Sequence, residues 1–114
     1  MLTLEKSKQL ISTTTTQPHL LTHATAVMAA MGGMAAHFGE DVRHWQAVGY
    51  LHDYDYEQYP EEHLDHTAEP LRAEGVTEEE IRLAESVVFF CFFRKINKNI
   101  EKSKKIQQNF KKLT

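Results

Sequence analysis

The chain has one cysteine, Cys91. No internal disulfide framework can hold it together, so the fold has to come from packing. Long apolar runs are also missing. The longest, VVFFCFF at 87–93, is seven residues, far below the roughly 20 that a bilayer-spanning helix needs. The N-terminal stretch MLTLEKSKQL has no apolar h-region. No secretory signal is therefore expected, and a cytoplasmic protein is the default. Strand signals are almost absent, and no internal repeat appears. Histidine and aspartate both stop at His66, an absence that matters below.

What is present fits one domain with one modest core: 114 residues. Apolar residues make up 41% and charged residues 25%, which places the chain among ordinary soluble proteins. The small net charge conceals two unlike parts. Residues 1–85 hold five Lys/Arg against fifteen Asp/Glu, whereas residues 86–114 hold eight against one. All seven histidines lie between His19 and His66. A seam near Ser86 is expected, with a helical domain over 1–85 and a basic, helical tail over 86–114.

Apolar spacing predicts about five helices and an all-α fold. The first is short and turns Leu4, Leu10 and Ile11 inward. The tract STTTT breaks it, because hydroxyl and β-branched residues favour caps and turns. Pro18 suits the first turn of a second helix, where its missing N–H is no loss. This helix should reach about Phe38 and stop at Gly39. Its inward stripe reads His23, Ala26, Val27, Ala30, Met31 and Met34, and Gly32 and Gly33 either weaken it or admit a neighbouring helix. Asp41 should cap a third helix with Val42, Trp45, Val48, Gly49 and His52 on one face. After the loop YDYEQYPEE, a fourth helix is expected from Glu61 or Glu62 to Gly75, kinked or restarted at Pro70. Thr77 and Glu80 form a capping box for a fifth. Its stripe runs through Ile81, Ala84, Val88, Phe92, Ile96 and Ile100.

The candidate chemistry sits where the third helix ends. His52 points inward, and Asp53 follows it about 100° around the helix. Two adjacent residues can converge on one ion only near a helix end, and the stop at Tyr54 to Pro60 supplies one. His23, 29 residues earlier, can reach them from the preceding helix. His63 and His66, spaced i, i+3, can share the next helix face. Imidazole and carboxylate donors from three elements suit Zn, Mn, Fe or a similar ion. Each residue alone also has a plain reading as a hydrogen-bonded core histidine or a solvated terminus. His19, His37 and His44 read as surface or capping residues. Tyr54, Tyr56 and Tyr59 read as loop packing, and Met28, Met31 and Met34 as core filler.

The segments LLTHATAVMAAM, AVGYLHDYDYEQYPEEH and TAEPLRAEGVTEEEIRLA, in that order, make the chain resemble the HD superfamily of metal-dependent phosphohydrolases, in particular its small stand-alone bacterial members. The resemblance spans residues 17 to about 84. It implies a compact HD-domain-like helical bundle. His23 matches the family's first histidine, His52 and Asp53 match the pair that names it, and His63 matches a further histidine, with His66 in reserve. It implies one or two divalent ions (Mn, Fe, Mg or Zn) held by His23, His52, Asp53 and His63, with Asp53 also the catalytic group. An ion of this kind lowers the pKa of bound water, and the resulting hydroxide attacks a phosphate ester such as a nucleotide. Asp55 and Glu62 are available, by position only, to orient the imidazoles.

The chain departs from the family after EEEIRLA. There the family carries another histidine segment and a closing aspartate, and this chain reads ESVVFFCFFRKINKNIEKSKKIQQNFKKLT. Either the end is read in an unrelated frame or the tail has diverged. The alternative to an impaired hydrolase is a non-catalytic HD-like helical protein with a binding or assembly role. The expected partner is a small phosphorylated substrate. Residues 87–93 would favour pairing of two copies. The basic tail reads as a solvated helix face rather than a surface that attracts nucleic acid or phosphate; no membrane partner is expected.

Overall fold

The structure is a computed structural model that describes residues 1–62 and 65–96, with 89–96 described as helix backbone only. Among the described residues there are five helices and no strand: α1 (Leu4–Ser12), α2 (Pro18–Phe38), α3 (Val42–Leu51), α4 (Ala68–Ala73) and α5 (Glu78–Ile96). The all-α expectation holds. No helix among these residues is long and apolar enough to cross a membrane.

Local chemistry sets most boundaries. Thr3 caps α1 by accepting the Lys6 N–H at 3.1 Å. Pro18 opens α2, and Gly39 closes it at φ 71°, a left-handed conformation that glycine adopts without a Cβ penalty. Asp41 Oδ1 accepts the His44 N–H at 3.1 Å and starts α3. The capping box of α5 is complete. Thr77 Oγ1 accepts the Glu80 N–H at 3.2 Å, and Glu80 Oε1 accepts the Thr77 N–H at 3.0 Å.

Helix α3 is the centre of the molecule and packs against α1, α2 and α5, while α4 packs on α5. Trp45, Ala47, Val48, Leu51 and His52 are buried. Each large apolar side chain so buried contributes about 1.5–3 kcal/mol. Ser7 of α1 is also buried, and its hydroxyl donates to Ala47 O at 2.7 Å, tying α1 to α3. Leu10, Ile11, Leu71, Val76, Ile81, Leu83, Ala84 and Val87 complete the core.

Three expectations need correction. The face that α2 buries is Ala24, Val27, Met31, Gly32 and Ala35, while His23, Ala26 and Ala30 are exposed. The predicted stripe is rotated because alanines lie all round this helix and sequence alone cannot rank them. Val42 is exposed rather than on the buried face of α3. The fourth helix begins at Ala68, not near Glu61, and Glu61 and Glu62 lie in turns. Pro70 is then its third residue, inside the first turn, where no intrahelical donor is required.

The composition seam falls inside α5, which runs through Ser86 without a break. Val87 and Val88, at the start of the VVFFCFF run, are buried. The side chains of 89–93 and the tail from residue 97 lie outside the described residues.

Candidate metal centre

Three side chains from two elements meet at the end of α3. His52 is its C-cap, at φ −58° and ψ −32°. The last turn tightens there: Gly49 O accepts the His52 backbone N–H at 3.4 Å and the His52 Nδ1–H at 2.6 Å. That second bond fixes the ring's orientation and assigns the proton of neutral His52 to Nδ1. The lone pair of Nε2 therefore points away from the helix. His23 Nε2 lies 3.2 Å from it, Asp53 Oδ2 lies 3.2 Å from it, and His23 Nε2 and Asp53 Oδ2 are 3.5 Å apart. The helix end lets Asp53 turn to the same side as His52, as the dipeptide's position implied.

These spacings fit a shared ion. Two ligands at about 2.1 Å from one metal, at octahedral or tetrahedral angles, are roughly 3.0–3.4 Å apart. Two imidazole nitrogens and one carboxylate oxygen form such a group here, a donor set that suits Zn, Mn or Fe. The exposure is graded. His52 is buried, the Asp53 side chain is 21% exposed and that of His23 is 44% exposed. A bound ion would thus be anchored from within and open toward solvent on the His23 side, which leaves positions for water and a ligand.

The other predicted residues stand differently. His63 lies outside the described residues. His66 is not brought into the triad. Its backbone N–H donates to Asp55 Oδ2 at 3.1 Å, its ring stacks on Tyr59 at 3.6 Å between centroids, and its Nε2 is 3.5 Å from Glu62 Oε2. Asp55 is buried and closes the loop that follows Asp53. The group that orients His52 is the Gly49 carbonyl, where the sequence suggested a carboxylate. Tyr54 packs against the core, while Tyr56 and Tyr59 are about two-fifths exposed.

His37 is exposed, as expected. His44 is half-buried, and besides its N–H to Asp41 its ring engages a carboxylate: its Nε2 is 2.6 Å from Glu80 Oε2. Glu80 also accepts the Leu2 N–H at 2.8 Å. Burial alone would raise the Glu80 carboxyl. The backbone N–H groups of Thr77 and Leu2, with His44 and the Thr77 hydroxyl, outweigh it and hold the pKa at about 2. This cluster joins the N-terminal arm, α3 and α5. The sequence signalled only the Thr77–Glu80 half of it.

No family model, curated protein or solved structure matches the chain.

Proposed function

We propose that this chain is an HD-type, metal-dependent phosphohydrolase core acting on a small phosphorylated substrate such as a nucleotide. The observation that carries the reading is the group His23, His52 and Asp53, with ligand atoms 3.2–3.5 Å apart at a helix end. It coincides with the histidine and the His-Asp pair on which the resemblance rests. An ion held by His23, His52 and Asp53 would supply a hydroxide near neutral pH and charge for the phosphoryl oxygens. The chain's own residues have simpler tasks. Gly49 O holds the His52 proton on Nδ1, so that Nε2 faces the site. Asp53 supplies the one fixed negative charge of the triad, and His23 closes the triad from the solvent side.

Two neutral imidazoles and one carboxylate, or three imidazoles with His63 added, leave a dication underneutralised. Nothing after His66 adds a histidine or aspartate. Weak metal retention and slow turnover follow, because a missing anionic ligand lowers affinity and aims the nucleophile less well. The same deficit favours the second reading, an HD-like helical protein that binds phosphorylated ligands without hydrolysing them.

Metal analysis of purified protein tests the site. His52→Ala should abolish bound Mn²⁺, Fe or Zn²⁺, and His37→Ala should leave it unchanged. Equal metal in both variants would remove His52 from the site. Hydrolysis on a nucleotide and phosphodiester panel should be low and rise with millimolar Mn²⁺. Fast hydrolysis by stripped protein in chelator would overturn the metal mechanism. Ligand binding without turnover at any metal concentration would select the second reading.

A further inference from the structure

We infer that Glu57 is the positioning residue of the His23–His52–Asp53 cluster, through a carboxylate that ties the turn carrying Asp53 to the start of the helix carrying His23. The inference rests on the metal-site reading for its functional meaning, though not for its geometry. Glu57 Oε1 accepts the N–H of Thr16 at 2.9 Å and of Gln17 at 2.8 Å. Oε2 is 3.2 Å from the same Thr16 nitrogen and accepts the Thr16 hydroxyl at 3.3 Å. These bonds span 40 and 41 residues of sequence.

Helix α2 needs this partner. Its N-cap, Gln17, makes no side-chain capping bond, and Pro18 has no N–H to offer. Glu57 accepts instead the N–H of the N-cap residue, Gln17, and of Thr16 before it, and puts a negative charge near the positive end of a 21-residue helix. Its carboxyl is held below the usual range, chiefly by the two backbone N–H groups.

The geometry makes the tie matter for the site. Helices α2 and α3 approach closely at Gly49, against Met31 and Val27. His23 lies eight residues before Met31, about 12 Å along the helix. A splay of about 5° around that contact would move the His23 ring about 1 Å. Glu57 resists the splay at the far end. Asp53 is four residues before Glu57, and the intervening turn is closed by the Tyr56 N–H to Asp53 O bond at 3.1 Å. Cluster, turn, carboxylate and first turns of α2 thus form a closed ring.

The test compares the wild-type chain with Glu57→Ala, Glu57→Gln and the control Glu78→Ala, which removes an exposed carboxylate bound to Arg72. Two readouts are taken: ¹⁵N chemical shifts of the histidine rings in metal-free protein, and Co²⁺ titration followed by visible absorption. Glu57→Ala should shift the His23 and His52 ring signals but not those of His44. It should also weaken Co²⁺ binding about tenfold and alter its spectrum. Glu57→Gln, which keeps one acceptor oxygen, should fall between, and Glu78→Ala should match wild type. Unchanged ring signals in Glu57→Ala would overturn the inference, as would wild-type Co²⁺ affinity. If wild type itself takes up no Co²⁺, the metal reading fails, and the ring signals alone decide whether Glu57 positions the cluster.

Discussion

Replacing Gly49 with alanine should both loosen the molecule and disturb its histidine cluster. A Cβ at this position would lie 2.7 Å from Met31 Cγ, 3.2 Å from Met31 Cβ and 3.2 Å from the Val27 carbonyl oxygen. Carbon atoms in good contact are roughly 3.5–4.0 Å apart. Met31 Cγ can swing away, but Met31 Cβ and Val27 O move only with α2 itself. The helices would have to separate by a few tenths of an ångström. Overpacking of this kind costs about 1–3 kcal/mol. The better helix propensity of alanine offsets about 1 kcal/mol. A net loss of about 1 kcal/mol is expected. In urea unfolding it should lower the midpoint by about 0.5–1 M with an unchanged slope. The same displacement would move His23 away from His52, because the former rides on α2 and the latter is oriented by Gly49 O. Metal affinity should fall in parallel. A Gly49→Ala protein as stable as wild type would refute the claim that this glycine sets the approach of the two helices.

Gly33→Ala should act in the opposite sense, since a Cβ there meets nothing within 4 Å; a gain of up to about 1 kcal/mol in urea unfolding is expected. Thr77→Ala should cost about 1 kcal/mol in the same assay by opening the capping box of α5. Glu80 has a folded pKa of about 2 against an ordinary 4.5, so its contribution is complete above the ordinary value and is lost as pH falls toward 2. Glu80→Gln should therefore be less stable than wild type at neutral pH and flatter in a pH titration of stability below about 4.5; an unchanged acid limb would show that the carboxylate contributes nothing.

How far the sequence could be read depended on the range of the interactions involved. The ends of α2 followed from Pro18 and Gly39, and the starts of α3 and α5 from Asp41 and from Thr77 with Glu80. Each signal acts within four residues. The start of α4 was misplaced because the described residues before it, 52–62 and 65–67, are organised by contacts of longer range. Asp55 holds the His66 N–H eleven residues on, and Glu57 holds Thr16 and Gln17 from 41 and 40 residues away. No helical period marks either bond. The face of α2 was misjudged for a different reason. Ala24, Ala26, Ala29, Ala30, Ala35 and Ala36 surround the helix, and only the position of α3 decides which are buried.

The histidine cluster shows why a local signal could locate the meeting of His52 and Asp53 and still misjudge the exposure of His23. A His-Asp dipeptide in mid-helix would send its side chains about 100° apart. At the end of α3 the last turn tightens onto Gly49 O, and the chain leaves the helix directly after His52. Asp53 then faces the same point as the buried ring. Because that point lies at the edge of the α2–α3 contact, His23 must reach it from the flank of α2. The buried line of that helix, Ala24, Val27 and Met31, runs beside His23 rather than through it. A histidine on the buried line would be sealed in the core, and water could not reach an ion beside it. On the flank, its ring still touches His52 at 3.2 Å while nearly half of the side chain stays in solvent. The rotated stripe of α2, an error when judged as packing, is thus what gives the cluster an open side.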